Sequence, residues 1–322
     1  MEYRKLGRSG IEVSCSALGG GVFGRDCGKE ETFGVIDAAS DLGINFVDTA
    51  DIYSCGLSEE WIGAAVRDSR HRWVIATKAG VAGGEPRGKT GRRDSILSRA
   101  EESLRRLQTD TIDLYQMHHF DPETPLEETL EALDLLVKQG KVRSVGASNY
   151  SGEQLRSSLQ IARNCGLMPF STTQVQYNLF KRDCEKDQLP FCASEPVRAL
   201  VYGALGRGVL TGKYDPGKDM PAGTRAFSSE AIRSDLAPSV VKAVAGLTAF
   251  AEERNQTVGC LALAWALRRK EVASLIMGVR SAGQLKANVA AVSWKLSDSD
   301  LSAIDQRVGE LENYRPFFSY GG

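Results

Sequence analysis

Gly43-Ile44-Asn45-Phe46-Val47-Asp48-Thr49-Ala50-Asp51-Ile52-Tyr53 decides the fold. Gly43 stops a helical pattern that runs from about Lys29 to Leu42, with Phe33, Ile36 and Ala39 spaced for one face. Asn45-Phe46-Val47 is a short apolar run that reads as a buried strand, and it ends at a carboxylate, Asp48, with the phenol of Tyr53 just beyond. Two later runs repeat the arrangement. Trp73-Val74-Ile75-Ala76 leads to Lys78, and Ile112-Asp113-Leu114-Tyr115-Gln116-Met117 leads to His118. If the three runs are consecutive parallel strands, all four polar groups project from one rim of one sheet. A carboxylate, a phenol, an amine and an imidazole gathered there make a proton-donating site, suited to carbonyl reduction or its reverse.

Outward from that stretch the alternation continues. The chain opens as a β-hairpin, Tyr3 to Lys5 and Ile11 to Ser14 around Gly7-Arg8-Ser9-Gly10. Strand-like runs recur at Ser16 to Leu18, Val142 to Ala147, Thr172 to Val175, Arg198 to Tyr202 and Ser274 to Met277, which brings the total to eight. Helical stretches lie between them. One follows Ser58, and one carries Ile96, Leu97, Ala100, Leu104 and Leu107. Two more open on capping boxes: Thr124-Pro125-Leu126-Glu127, with proline at the first position and a stop at Gly140, and Ser151-Gly152-Glu153-Gln154. The pattern predicts an α/β protein, a (β/α)₈ TIM barrel with an N-terminal β-hairpin and an extra C-terminal helix and tail, forming a single domain over 1–322. An open doubly wound sheet is the alternative, but Gly19-Gly20-Gly21 does not have the G-x-G-x-x-G spacing.

Bulk properties exclude several function classes. With 42% apolar and 25% charged residues in 322, the composition is that of an ordinary globular protein. Forty Lys and Arg against 41 Asp and Glu give a net charge of −1, which offers nucleic acid or an anionic membrane no electrostatic footprint. The seven cysteines (15, 27, 55, 165, 184, 192 and 260) contain no C-x-x-C pair, so reduced thiols are expected rather than disulfides or a zinc site. Met1-Glu2-Tyr3-Arg4-Lys5 is not a signal peptide, and no run approaches a membrane span of about 20 apolar residues. A cytoplasmic protein without a bound metal is expected, and its oligomeric state stays open.

The other strand ends also carry polar or glycine residues: Ser148-Asn149, Gln174, Tyr202-Gly203, and Gly278 with Arg280. Barrel active sites are assembled from residues at such ends. Residues 79–93, rich in Gly, Lys and Arg, and the long connection 203–238 add length at the same rim. Taken in order, Gly43 to Tyr53, Ala76-Thr77-Lys78, Asp113 to His118, Gly146-Ala147-Ser148-Asn149-Tyr150, Gln174 with Tyr177-Asn178-Leu179, Tyr202 to Gly208, and Gly278-Val279-Arg280 with Gln284 and Asn288 resemble an aldo-keto reductase over essentially the whole chain.

The resemblance implies NADPH-dependent reduction of a small aldehyde, ketone or sugar carbonyl, with neither metal nor covalent intermediate. Its catalytic set falls on Asp48, Tyr53, Lys78 and His118. Those roles are physically reasonable. Hydride reaching a carbonyl carbon leaves charge on oxygen, which needs a proton and oriented donors. A free phenol titrates near pH 10, and a neighbouring cation such as Lys78 stabilises its phenolate. Asp48 would keep that cation charged and placed, while His118 would orient the carbonyl. For the cofactor, the family places Ser148, Asn149 and Gln174 on the carboxamide and Tyr202, with Gly203, on the nicotinamide ring. The loop from Gly206 through Gly208 to Lys213 would take the pyrophosphate, with Leu205 as a further cofactor contact. Arg280, beside a helix capped by Ser281, would meet the 2′-phosphate, with Gln284 and Asn288 facing adenine and Gly278 as a further cofactor contact. Arg280 favours NADPH over NADH, although some relatives carry a second basic residue where Gln284 stands.

Two further functions fit the same residues: a cofactor-bound regulatory subunit of the potassium-channel β type, and a dehydrogenase of sugar, inositol or pyridoxal metabolism. The chain starts at its hairpin without a long extension, which weighs against regulation. Pocket walls are expected from Val22, Phe23, residues 79–93 and the aromatic tail with Tyr314, Phe317, Phe318 and Tyr320; that tail covers either the pocket mouth or an outer face. Arg87, Lys89, Arg92 and Arg93 read as a solvated loop before they read as a site for an anionic substrate. Cys55 reads as a packed thiol, and His119 as facing away from the site.

Overall fold

Alternation along three strands sorts the barrel into inside and outside. Phe46, Val74, Ala76 and Leu114 join Ala17, Leu200 and Ala273 in one buried cluster, while Val47, Ile75, Tyr115 and Met117 belong to a second, larger one that includes the helices. In a strand the side chains switch face at each residue, so these two clusters are the interior of a cylinder and its outer jacket. The computed structural model describes residues 1–79, 90–215, 219–220, 227, 229–234 and 236–309.

The cylinder is closed by eight parallel strands: β3 (Ser16–Gly19), β4 (Phe46–Asp48), β5 (Val74–Ala79), β6 (Ile112–Met117), β7 (Val142–Ser148), β8 (Thr172–Gln176), β9 (Arg198–Tyr202) and β10 (Val272–Met277), with β10 pairing back to β3. All eight match the expected runs to within a few residues. The antiparallel hairpin β1 (Tyr3–Lys5) and β2 (Glu12–Ser14) packs against the N-terminal end, and its Leu6, Ile11 and Val13 enter the interior cluster. Gly7, at φ +54°, lies so close to the barrel that a Cβ would come within 2.2 Å of the Ser171 carbonyl. No other residue fits that turn.

Helices α1 (Lys29–Asp41), α2 (Leu57–Val66), α3 (Arg93–Leu107), α4 (Leu126–Lys138), α5 (Gly152–Cys165) and α6 (Gln188–Ser194) return the chain between strands. The connection after β9 contains a 3₁₀ segment at Gly206–Thr211 and α7 (Glu230–Ser234), followed by α8 (Pro238–Glu252) and α9 (Val258–Leu267). Val209, Tyr214, Ile232, Leu236 and Val240 give this connection a small apolar cluster of its own. After β10 come α10 (Ala282–Val289) and the extra helix α11 (Asp298–Val308).

The capping box at Ser151 is present: its hydroxyl accepts from the Gln154 amide, and Gln154 Oε1 accepts from the Ser151 amide. The one expected at Thr124 is not. Helix α4 begins one residue later than the box requires, with Pro125 as its cap, and the Thr124 hydroxyl donates instead to Asp121 Oδ2 at 2.7 Å. On α1 the inward face is Thr32, Val35, Ile36 and Ala39, while Phe33 is only half-buried beneath Lys29. All seven cysteines are free. Among the described residues no helix is long and apolar enough to cross a membrane. Gly80 to Lys89, including Arg87, and the aromatic tail 313–322 lie outside the described residues.

Candidate active site

The same parity that buries Phe46, Ala76 and Leu114 turns Asp48, Lys78 and Gln116 inward as the next interior positions, toward the C-terminal rim. Lys78 is 0% exposed; its Nζ lies 2.5 Å from Asp48 Oδ1 and 2.7 Å from the Thr49 carbonyl. Burial opposes an ammonium, but the Asp48 carboxylate and the Tyr53 phenol outweigh it, and Lys78 holds its proton more tightly than a free lysine. Nζ also lies 5.2 Å from the Tyr53 ring centroid, and the phenol is among the groups that favour its proton.

Tyr53 is carried on a strained turn. Ser54 and Cys55 take left-handed backbone angles, φ 52° and 55°, and Gly56 follows at φ +91°. For a side-chain-bearing residue that conformation costs about 1–2 kcal/mol. Neighbouring bonds hold the turn in place: Ser54 Oγ donates to the Phe23 carbonyl at 2.7 Å, and Ser58 Oγ to that of Gly20 at 2.9 Å. Glu59, fully buried on α2, ties Thr77 of β5 to Arg106 of α3 through bonds of 2.6 Å each.

His118 follows β6, its amide donating to the Ala79 carbonyl at 3.0 Å. The imidazole meets the Tyr53 ring edge-on at 5.9 Å. Burial first, and then the charges of Lys78 and His119, push its pKa well below the usual histidine range, so it is neutral at neutral pH. His119 does not face away as expected: it stacks on His118 at 5.1 Å, with ring planes 12° apart. Asp48, Tyr53, Lys78 and His118 therefore form one contiguous group.

Two residues complete the surroundings of Asp48. Its Oδ2 accepts from Gln174 Nε2 at 2.8 Å and from Gln116 Nε2 at 3.1 Å. The Gln174 amide nitrogen thus points at the carboxylate, not outward along the rim. Gln116 was not among the expected site residues, although its place two residues before His118 puts it on the same face of the strand. Val22 and Phe23, expected as pocket walls, are core residues at 2% and 0% exposure. Gly21 is the neighbour of Tyr53 instead: a Cβ there would lie 3.6 Å from the phenol ring. Cys55 is exposed rather than packed. Arg92 and Arg93 are exposed at the start of α3, where Arg92 pairs with Asp94.

The other half of the rim is built from backbone shape and neutral groups. Asn149, left-handed at φ 60°, accepts from the Tyr202 hydroxyl at 2.8 Å and donates to the His118 carbonyl at 3.0 Å and to Ser148 Oγ at 3.1 Å. Ser148 Oγ in turn reaches the Gln174 carbonyl at 3.3 Å. This chain fixes the half-buried Tyr202 ring as a shelf after β9. Gly203, Gly206, Arg207 and Gly208 all have positive φ. The amides of Gly206 and Gly208 bond to the Gly203 and Leu205 carbonyls, and Lys213 lies against Gly208, 3.1 Å from where its Cβ would be. After β10, Gly278 is exposed and Arg280 directly precedes Ser281, whose hydroxyl caps α10 by accepting from the Gln284 amide. Gln284 Oε1 accepts from the Arg280 amide at 2.9 Å, and Asn288 stands one turn further along.

An aromatic shelf, a left-handed glycine loop and a helix N-terminus with an arginine thus succeed one another along the β9 and β10 rim. They fit the ring, the bridging phosphates and a terminal phosphate of a dinucleotide, at the strand ends where barrels commonly hold phosphate.

The Aldo/keto reductase family model matches residues 17–308, and the chain belongs to that family of oxidoreductases, which use NAD(P)H and act on small carbonyl substrates. It is 35% identical over 318 residues to the aldo-keto reductase YhdN of Bacillus subtilis (strain 168), covering 95% of this chain and 93% of that one. It is 32% identical over 321 residues to the aldo-keto reductase str7 of Strobilurus tenacellus, covering 96% and 92%. A relative from Arabidopsis thaliana, 33% identical over 301 residues and 91% of each chain, is named "Probable voltage-gated potassium channel subunit beta".

Proposed function

We propose that this protein is an NADPH-dependent reductase of small aldehydes, ketones or sugar carbonyls, with Tyr53 as the proton donor. The observation that carries the reading is the fully buried Lys78, bonded to Asp48 on one side and set against the Tyr53 phenol on the other. When bound, the reduced nicotinamide supplies hydride to the carbonyl carbon. The chain does the rest. Lys78 favours the phenolate left when Tyr53 releases its proton. Neutral His118 stays beside the phenol as a donor for the substrate oxygen without competing as a strong acid. In the oxidative direction the same phenolate takes the proton back. Ser148, Asn149 and Tyr202 are the proposed nicotinamide holders, Leu205, Gly208 and Lys213 the phosphate contacts, and Gly278, Arg280, Gln284 and Asn288 the adenosine end. Arg280 supports NADPH over NADH, because a guanidinium can meet a 2′-phosphate with charge-assisted bonds.

The test is oxidation of bound NADPH across a panel of aldehydes, ketones and keto-sugars, with Tyr53→Phe as the paired variant. The variant should fold and bind NADPH, and turnover should fall by about two orders of magnitude or more, the usual scale for a positioned general acid. A wild-type rate in a folded, cofactor-bound Tyr53→Phe protein removes Tyr53 from this role. The relative named as a channel β subunit supports a second reading, in which turnover serves to report cofactor state to a partner protein. Slow turnover with every carbonyl, combined with tight NADPH retention, would favour it.

A further inference from the structure

We propose that Gln116, together with Gln174, is a positioning residue of this site: the two amides hold one oxygen of Asp48 so that the other stays on Lys78. The inference rests on the proton-donor reading given above. Gln116 lies in register with Lys78 of β5 on one side and Gly146 of β7 on the other. It is wholly buried inside the barrel, as is nearly all of Gln174. Three donors from three strands converge on the carboxylate, with Lys78 on Oδ1 and both glutamines on Oδ2. Room for this arrangement comes from Gly146, where a Cβ would lie 2.2 Å from Thr172 Oγ1 and 3.3 Å from Gln116 Cγ.

Packing does not account for an amide at 116. Its Oε1 is buried and finds no partner among the described residues. Burying an unpaired carbonyl is unfavourable, so an apolar side chain of similar shape suits the barrel at least as well. The benefit must come from the amide hydrogens. Two neutral donors on Oδ2 draw part of the Asp48 charge away from Lys78. Without them the carboxylate opposes the Lys78 cation more fully, and the cation favours the Tyr53 phenolate less. The other titratable groups around Tyr53 are His118 and His119 after β6, and the ion pairs Asp51–Arg99 and Glu59–Arg106 of its own turn, α2 and α3. Replacing Gln116 leaves each of these in place.

The experiment is a pH titration of tyrosine labelled with ¹³C at Cζ, followed by NMR, in the wild type, Gln116→Met and Gln174→Met, with Tyr53→Phe assigning the resonance. Tyr53 should titrate about half a pH unit or more higher in both glutamine variants, while Gln116→Met stays folded. An unmoved Tyr53 titration overturns the proposal. So does loss of folding in Gln116→Met, which would make the amide structural. The titration needs no turnover, so the two readings fail separately. A shifted Tyr53 in a protein that reduces no carbonyl upholds the clamp and removes the reductase. An unshifted Tyr53 in an active reductase does the reverse.

Discussion

The two halves of the rim solve different problems by different means. From β4 to β6 the functional groups are mostly charged or titratable and set against one another, Lys78 on Asp48, Gln116 on Asp48 and His118 on Tyr53, with Asp48, Lys78 and Gln116 buried and Tyr53 and His118 half-buried. From β7 to β10 they are mostly neutral, half-exposed and shaped by the backbone, with Asn149, Gly203, Gly206, Arg207 and Gly208 all at positive φ. The first half must hold charge in a fixed arrangement before anything binds, and low-dielectric burial makes each of its interactions count. The second, on the proposed reading, accepts a large ligand from solvent, and it offers an aromatic surface, a glycine loop and the cations Arg207, Lys213 and Arg280. Chemistry and binding are therefore separable by mutation.

Lys78→Met probes that separation most severely. Removing the cation should cost turnover about a hundredfold or more, while NADPH affinity, which the proposal assigns to the other half, changes little. Single-turnover rates beside a fluorescence-quenching titration measure both, and a loss below about tenfold, or 1.4 kcal/mol, would assign the cation's role to another group. Arg280→Ala is the mirror experiment. It should weaken NADPH binding about ten- to a hundredfold, the worth of one or two bonds to a charged partner, leave NADH nearly unaffected and spare the chemical step. Equal losses for both cofactors would mean that Arg280 does not read the 2′-phosphate.

The smallest effect concerns protons. His118 is pushed well below the usual histidine range in the folded protein. On acidification through about pH 6.5 the unfolded chain therefore takes up a proton that folded His118 refuses. Stability should fall as pH drops through that window and be regained as pH rises above it. Calorimetry of the wild type and His118→Asn from pH 7 to pH 5 should show a shallower slope for the variant. Equal slopes would mean that His118 titrates normally and that the buried half is wetter than its geometry indicates.

The barrel was legible because each strand carries both its period and its terminal polar residue. A run such as Ile112 to Met117 ending in His118 states direction, burial and site at once. The quartet was legible for the same reason. Less visible was anything decided across strands. Gln116 looks like one polar residue in an apolar strand until β4 brings Asp48 within 3.1 Å. Gln174 read as a rim residue, yet its amide points into the barrel at the same carboxylate. Val22 and Phe23 read as pocket walls, but the apolar jacket takes them up. Thr124 failed for a local reason, since Asp121 offered its hydroxyl a stronger acceptor than the helix offered a donor.

The turn after Tyr53 has a consequence for any effort to make this protein more heat-resistant. Cys55 is exposed and held at φ 55°, a conformation that glycine adopts without penalty. A selection for survival at high temperature would therefore be expected to reach Cys55→Gly early, because relief of strain is an easily found route to stability. The same substitution frees the backbone two residues from the phenol. Durability and speed would then diverge at a single position, and the thiol-bearing form, the less durable of the two, is the one that keeps Tyr53 in place.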